Sequence, residues 1–480
     1  MQVKVKRNYL TYVHVVIMFF IMVGVGMMPT FGQVTPLGMK VLGVFLGTMY
    51  GWIFIYLLWP SLIGLVVLGL TEYTTIGEAF ASALSTATGI QVIITCLFAS
   101  ALEKIGATEV LSNWILTREP LRKNPWLLIV TLFLTIVIGT VFGAGIALVF
   151  MIWSLAIKAA EQCGYSIKDP LIAFIMTGAV IMCFAASCII PFRGAALMYL
   201  SFYIPVGGEI EYAPFIIFSA VYVICLIAAF LFVAKFVMKI DVANFTLPDA
   251  EVDRLKSLKA TKPQKIGCGI MITYFVVMMS SAFLPKGWAF TQMVKTMGLL
   301  GVTTVALMLL ALVKDADGKQ IVRLAACHGS VPWDVVWLIC ATTPLANAME
   351  SAEGGLMATV SAAVTPVLAG MSPTLFLIAV VIVLGVLTQF THNLVLGAMF
   401  IPFLTPILLE MGGNGPLLFM FCLIILNCAY VTPAASMQSA MIHGHELIGR
   451  KAAYTWGLIT LVASWLILIV IGIPLGNVLW

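Results

Sequence analysis

Long apolar segments separated by short polar ones occupy most of the chain, and few charges lie inside them. Such segments are typical of membrane-spanning helices, which need about 20 apolar residues to cross a bilayer. They lie approximately at 10–29, 38–56, 59–71, 91–103, 126–158, 170–204, 213–238, 266–284, 297–313, 331–349, 373–410, 415–444 and 454–478. The pattern predicts an all-α integral membrane protein with about 11 transmembrane helices.

Two segments, 126–158 and 373–410, are too long for one crossing of about 20 residues and have small residues near their centres. Each could be two ordinary helices. Each could also be a re-entrant hairpin, which enters and leaves the membrane on the same side. The distribution of charge decides between these two interpretations.

With two hairpins and a cytoplasmic N-terminus, most basic residues fall on one side of the membrane; Lys104 and Arg193, at or within apolar spans, are left out of this comparison. These are Lys4, Lys6, Arg7, Arg118, Arg122, Lys123, Lys158, Lys168, Lys235, Lys239, Arg254, Lys256, Lys259, Lys262, Lys265, Lys314, Lys319, Arg323, Arg450 and Lys451. Lys40, Lys286 and Lys295 fall outside, and Glu209 and Glu211 mark an outer loop. This bias follows the positive-inside rule. It predicts a multi-pass cytoplasmic-membrane protein whose hairpin 126–158 opens to the cytoplasm, whose hairpin 373–410 opens outward, and whose C-terminus lies outside.

Composition excludes most other classes of protein. The 480 residues are 62% hydrophobic and 9% charged, whereas soluble domains are about 25% charged. The net charge of +5 does not indicate nucleic-acid binding, because the basic residues lie between apolar spans. The ten cysteines contain no C-x-x-C pair, which favours helix packing over disulfides or metal. Walker, G-x-S-x-G and HExxH signatures are absent, so we expect neither an enzyme nor a bound cofactor.

A charged linker at 239–265, with Pro248 and Pro263, divides the chain into two similar halves. Ala99–Lys104 (ASALEK) matches Ala346–Ser351 (ANAMES) at an offset of 247, and Ala185–Ser187 matches Ala434–Ser436 at an offset of 249. The linker contains no span and each half holds an odd number of crossings, so the repeats are predicted to be inverted. Inverted repeats with broken helices are the architecture of secondary transporters.

The predicted organisation therefore has two scaffold regions and two transport halves. The scaffold regions are 1–125 and 266–372. The first transport half, 126–238, holds the hairpin 126–158 and a broken helix at 170–204. The second, 373–480, holds the hairpin 373–410, a broken helix at 415–444 and the last helix.

Arg193 is the only charge in the apolar stretch Thr177–Tyr203. Pro191 and Gly194 flank it, so a helix break is predicted beside the charge. An arginine at membrane depth costs about 2.5 to 17 kcal/mol, and non-helical backbone there is tolerated only inside protein or beside water. The small-residue run ending at Ser187 strengthens the prediction of a binding site. The alternative is that Arg193 reaches the outer headgroups or pairs with a structural carboxylate.

Four stretches carry recognisable motifs: Pro36–Gly69, Ser100–Gly106 (SALEKIG), Trp333–Val336 (WDVV) and Leu426–Gly444 (LNCAYVTPAASMQSAMIHG). They resemble the divalent anion/sodium symporter family, within the ion-transporter superfamily. The likeness covers nearly the whole chain. It implies that family's fold, a small-anion substrate and a homodimer.

The family's binding motif is Ser-Asn-Thr at each hairpin tip, ten residues ahead of a proline. Counting back from Pro402 puts His392, Asn393 and Leu394 at the second tip, so only Asn393 is retained. Counting back from Trp153, which stands in place of the first proline, gives Gly143-Ala144-Gly145, and the first motif is lost.

In the family signature of the second broken helix, Pro433 is kept, Ser436 replaces a threonine and Ser439 replaces an asparagine. The isolated charge and small-residue run of the first broken helix, together with the resemblance, predict a substrate site formed by Arg193, Ser187, Asn393, His392, Ser436, Ser439, Gly143 and Gly145. A Na⁺ site near Asn393 and Ser436 is left open, and no other metal is expected.

Helix ends give these tips a physical role, because N-termini attract a carboxylate. Gly143 and Gly145 would allow close approach of an anion to the backbone, although Gly-x-Gly also occurs in ordinary helix packing. His392 could titrate near physiological pH. For His443 and His445 a cytoplasmic helix end is the favoured interpretation.

We therefore expect a secondary active transporter of small, carboxylate-bearing anions in the lipid bilayer. It would carry both hairpins and both broken helices across a scaffold, with weak or altered Na⁺ coupling and exchange or H⁺ coupling through His392. One alternative is a cation/proton antiporter, which would need a mid-membrane carboxylate; Glu103 and Glu350 lie only at helix ends. The other is an anion channel on the same fold.

Overall fold

The structure is a computed structural model of the 480-residue chain. It describes residues 9–85, 87–107, 110, 124–141, 145–166, 168–192, 194–246, 260–283, 287–314, 318, 320, 322–323, 327, 329, 331–356, 358–359, 362, 371–433 and 436–480. Across these residues the regular structure is helical, apart from an isolated β-bridge between Lys314 and Gln320. Arg193 and Gly143 lie outside the described residues.

The helices of the first half begin with α1 (Tyr9–Gly26), α2 (Pro36–Phe54), α3 (Leu58–Leu68), α4 (Ile76–Leu84) and α5 (Ala87–Ile105). They continue with α6 (Pro125–Val141), α7 (Gly145–Gln162), α8 (Pro170–Ala186), α9 (Gly194–Gly207) and α10 (Tyr212–Phe232). A π-helical turn, Val233–Val237, extends α10.

The second half comprises α11 (Lys262–Phe283), α12 (Ala289–Ala311), α13 (Trp333–Glu350), α14 (Pro373–Leu387) and α15 (Asn393–Glu410). These are followed by α16 (Gly415–Leu426), α17 (Met437–Gly444), α18 (Arg450–Ile467) and α19 (Ile473–Leu479). A second π-helical turn, Leu468–Gly472, joins α18 to α19.

Three of the central helices, α8, α14 and α16, start with a capping side chain and a proline in the first turn. The cap oxygen accepts a backbone N–H bond in each: Asp169 from Leu171, Ser372 from Leu375, and Asn414 from Leu417. Capping satisfies a donor left free at a helix start, and proline fits there because its missing N–H has no partner in that turn.

The core lies along α8 and α16. Both helices are apolar on every side and nearly all of their residues are buried, as expected of helices surrounded by other helices. By contrast, α1 exposes large side chains such as Val16 (68%) and Phe20 (75%), which suits a surface that faces lipid.

Helix contacts arrange the chain around these two helices. The pair α6 and α7 packs against α8, and the pair α14 and α15 packs against α16. Helix α9 packs against α15, which joins the two sets. On the other side, α3 packs against α2 and α13, and α5 packs against α12.

Among the described residues, five helices are long and apolar enough to cross a membrane, or six if the bent pair formed by α4 and α5 is one span. The five are Pro36–Phe54, Tyr212–Val237, Ala289–Ala311, Asn393–Glu410 and Arg450–Leu479. Further apolar helices of 10 to 17 residues, including α6, α8, α14 and α16, are shorter. The all-helical, multi-pass class is confirmed, while the number of crossings and the inverted relation of the halves stay predictions.

Candidate functional site

Four segments beside the two buried helices are named by their residues: the first tip (the start of α7 at Gly145), the first break (187–192, between α8 and α9), the second tip (388–392, between α14 and α15) and the second break (427–433 and Ser436, between α16 and α17). The predicted site residues that the structure describes lie in these segments or in the first turn of the adjacent helix: Ser187, His392, Asn393, Ser436, Ser439 and Gly145.

At the first tip, the start of α7 lies close against α8. A Cβ atom added at Gly145 would lie 2.7 Å from both Cys183 Sγ on α8 and Thr140 Oγ1 on α6. Real Cβ contacts are not this short, so the close approach requires glycine. The tip therefore meets α8 about one turn before the first break.

The first break begins at Ser187, whose hydroxyl donates to the Phe184 carbonyl at 2.6 Å. Cys188 Sγ lies 4.0 Å from the Leu423 carbonyl of α16, so this break approaches the second buried helix. The break ends at Gly194, whose φ of 57° is a left-handed conformation that favours glycine. Ser187 is therefore placed on the break, while its hydroxyl hydrogen bonds within its own chain segment.

At the second tip, α15 starts at Asn393. The Asn393 Oδ1 atom accepts a hydrogen bond from the Leu394 N–H at 3.0 Å, and the side chain is partly buried. His392 precedes the helix and is exposed. Within the described residues, no hydrogen bond joins Asn393 or His392 to Ser187, Ser436 or Ser439.

In the second break, the two predicted serines lie together. The Ser436 hydroxyl donates to the Ala429 carbonyl at 2.7 Å and accepts the Ser439 N–H at 3.1 Å. The Ser439 hydroxyl has one proton, which the carbonyls of Tyr430 and Thr432 share as acceptors. Both hydroxyls therefore satisfy carbonyls that the interrupted helix leaves without partners.

Side chains of the second tip complete this network. The Thr388 hydroxyl donates to the Leu426 carbonyl at 3.0 Å, and the Gln389 amide bonds the backbone of Cys428 and Val431. The Thr432 hydroxyl donates in turn to the main-chain carbonyl of Gln389. The second tip and the second break are thus one hydrogen-bonded unit.

Sequence reasoning missed Thr388, Gln389 and Thr432. A signal was present, because Gln389 is the one amide side chain in the apolar segment 373–392. A polar residue inside an apolar span is a functional-site candidate, and its partner can then be sought in an interrupted helix.

The two histidines after the second break lie apart from each other. His443 is in the last turn of α17, and its Nε2 atom is 3.2 Å from the Tyr430 carbonyl oxygen. His445 lies in the following loop with its ring edge against Trp153, at a centroid distance of 4.7 Å. Burial lowers the pKa of His445, and the neighbouring Glu446 carboxylate partly opposes this effect.

The described carbonyl oxygens of the second break, which could otherwise face a Na⁺ ion, have side-chain donors next to them. The carbonyls of Cys428, Ala429, Tyr430 and Thr432 each lie within hydrogen-bond distance of the Gln389 amide, the Ser436 hydroxyl or the Ser439 hydroxyl. Within the described part of the chain, no group of three His, Cys, Asp or Glu residues could hold a metal ion.

Comparison with known proteins gives relatives of one kind. No protein-family model matches the chain. The sodium-dependent dicarboxylate transporter SdcS of Staphylococcus saprophyticus is 24% identical over 250 residues, which cover 51% of this chain and 47% of the relative. SdcS of Staphylococcus aureus is 25% identical over 285 residues, which cover 56% of this chain and 54% of the relative. The chain thus aligns with about half the length of these relatives.

Two solved structures share the fold. The YdaH transporter of Alcanivorax borkumensis matches with a TM-score of 0.55 and 12% identity, over 84% of this chain and 90% of that one. MtrF of Neisseria gonorrhoeae matches with a TM-score of 0.56 and 13% identity, over 85% of this chain and 84% of that one. Its structure is described as illuminating a class of antimetabolite efflux pumps.

The described part of the chain shares the fold of these two structures. The sequence relatives confirm the resemblance to the divalent anion/sodium symporter family: the chain is related to its sodium-dependent dicarboxylate transporters. All these similar proteins are named as transporters or efflux pumps, in agreement with the expectation of a non-enzymatic protein.

Proposed function

We propose that the protein is a secondary active transporter of small carboxylate anions, with an elevator-type alternating-access mechanism and weak or altered Na⁺ coupling. The single observation that carries the proposal is the pairing of tips with breaks. Gly145 lies against α8 beside the first break, and Gln389 is bonded to the second break.

An inverted repeat is supported by the spacing of the helices. Helices α6 and α14 start at Pro125 and Pro373, 248 positions apart, and α7 and α15 start at Gly145 and Asn393, again 248 apart. The π-helical turns add a further parallel, because one follows α10 and the other follows α18. Repeats of this kind meet at mid-membrane around the substrate in secondary transporters.

The substrate class follows from the helix ends and from Arg193, the only charge in the apolar stretch Thr177–Tyr203. The N-termini of α7 and α15 begin at the two tips, where partial positive charge favours an anion. We assign Arg193 as the counter-charge, because a planar guanidinium can bind a carboxylate through two hydrogen bonds. Ser187, Asn393, Ser436 and Ser439 are assigned as further polar contacts, with Gly143 and Gly145 giving access to the backbone.

The remaining features of the proposal come from the family resemblance and from charge. A homodimer, a cytoplasmic N-terminus and an outer C-terminus complete it. Coupling to H⁺ through His392, or exchange of one anion for another, replaces strong Na⁺ coupling. The names of the relatives specify sodium dependence for those proteins, so the driving ion of this chain needs its own measurement.

A thermal-shift screen of the purified protein tests the substrate class. Succinate and citrate are added in NaCl and in choline chloride, and a binding ligand stabilises by RT ln(1 + [L]/Kd), about 2 to 4 kcal/mol near saturation. We expect a rise in Tm with carboxylates that persists in choline, is weakened in Arg193→Lys and is abolished in Arg193→Ala. Arg450→Ala, which changes an exposed basic residue at the start of α18, is the matched control and should respond normally. Absence of any carboxylate response in the parent protein would contradict the proposal.

A further inference from the structure

An interrupted helix leaves main-chain carbonyls without partners, and in transporters with this architecture such carbonyls can coordinate the coupling cation. In the second break these carbonyls have internal partners. The Ala429 carbonyl accepts from Ser436, and the Tyr430 and Thr432 carbonyls accept from Ser439. The Cys428 carbonyl accepts from the second tip, through the side-chain amide of Gln389.

The Gln389 amide makes three hydrogen bonds, all to main-chain atoms. Its Nε2 atom donates to the Gly385 carbonyl at 2.9 Å and to the Cys428 carbonyl at 3.0 Å. Its Oε1 atom accepts the Val431 N–H at 2.9 Å. One contact lies in its own helix α14, and the other two lie in the second break.

The orientation of this amide is fixed by its partners. A backbone N–H can only be accepted by the amide oxygen, and two carbonyl oxygens can only accept from the amide nitrogen. The side chain is 4% exposed, so water does not compete for these bonds. The amide hydrogens are therefore directed at two carbonyl oxygens from two different segments.

We propose that Gln389 is a positioning residue whose amide takes the place of a coupling cation at the second tip, by presenting positive hydrogen atoms to the carbonyls that would otherwise hold Na⁺. The inference rests on the proposed function, in which tips and breaks form the transport site. The amide holds the second tip on the second break without an ion. Na⁺ is not needed to assemble this side of the site.

The substitution Gln389→Glu tests this directly, because it keeps the shape and exchanges the two donors for an acceptor. The ionised carboxylate then faces the Gly385 and Cys428 carbonyls with no hydrogen between them. A group of three oxygens of this kind suits a hard cation. Burial raises the pKa of a carboxyl group, so the measurement is made at about pH 9, where we expect Gln389→Glu to have a Tm a few degrees higher in NaCl than in choline chloride of equal ionic strength.

Gln91→Glu is the matched control, because Gln91 is also buried and its amide donates to the hydroxyls of Thr95 and Thr303 instead of to carbonyls of a break. For this variant, and likewise for the parent protein, the Tm in NaCl should equal the Tm in choline chloride. A Tm of Gln389→Glu that does not differ between NaCl and choline, or a parent protein that Na⁺ stabilises to the same extent, overturns the inference. No substrate is added, so the result is independent of whether carboxylates are transported.

If Gln389→Glu does not fold, a second measurement, made on protein that keeps Gln389, still tests the inference. A cysteine introduced by His392→Cys, at the exposed end of the second tip, reports tip mobility through its rate of maleimide labelling. We expect the rate in NaCl to be within about 2-fold of that in choline, because the tip is already held. Protection by Na⁺ of about 10-fold or more would show that an ion assembles the tip, and the proposed role of Gln389 would be wrong.

Discussion

At the scale of single residues, hydroxyl and amide side chains supply the hydrogen bonds that the interrupted helices lack. Ser436 and Ser439 do so within the second break, and Gln389 does so from the second tip. A buried carbonyl that loses such a partner costs about 1 to 3 kcal/mol. These side chains are therefore part of the local fold, and any role in transport builds on that structural role.

Gly145 gives the residue-scale prediction. Gly145→Ala places a Cβ atom 2.7 Å from Cys183 Sγ, so we expect destabilisation of about 1 to 3 kcal/mol, measured by thermal unfolding in detergent. Adding Cys183→Ala should restore part of the loss. Gly269→Ala is the control, because Gly269 lies within α11 and has open space around it. If Gly145→Ala unfolds at the same temperature as Gly269→Ala, the first tip does not lie this close to α8.

The sequence identified part of this site. A motif pointed to Ser436 and Ser439, and the two residues are hydrogen bonded to each other in the second break. Gln389 was missed because the motif for the second tip starts three residues later, at His392. Hydropathy gives the length of an apolar segment, but it does not indicate which carbonyls a buried amide will bond.

At the scale of elements, apolar length located most helices, and motif spacing located the interruption in 373–410. The structure divides this segment into α14, which ends at Leu387, and α15, which starts at Asn393 in the motif counted back from Pro402. Helix α4 was not among the predicted segments, because it has nine residues and one polar face. Its capping box, formed by Thr75 and Glu78, was a readable start signal.

Membrane orientation is the element-scale prediction, and it decides whether the hairpins are re-entrant. In a cysteine-free background, Asp241→Cys in the linker should react with an impermeant maleimide only from the cytoplasmic side. Glu209→Cys, between α9 and α10, should react only from outside. The physical reason is the concentration of basic residues on the predicted cytoplasmic side. Labelling of the linker position in intact cells would reverse the orientation and with it the hairpin assignment.

At the scale of the whole molecule, two buried helices, α8 and α16, each combine with a helix pair and a break. The other helices pack around them, and α1 exposes apolar side chains as a lipid-facing surface would. We propose that α8 and α16, with their helix pairs and breaks, form a central unit with two related halves, and that the other, outer helices form a scaffold. Movement of the central unit past the outer helices is the mechanism we propose for transport.

Counterflow in proteoliposomes tests this central claim most directly. Vesicles preloaded with unlabelled succinate are diluted into a trace of labelled succinate, in choline chloride and in NaCl. A carrier binds substrate on alternate sides, so we predict transient accumulation of label above equilibrium, saturable by external succinate, present in choline and abolished in Arg193→Ala. Equilibration without an overshoot would indicate a channel, and accumulation that requires Na⁺ with steep cooperativity would contradict the proposed weak coupling.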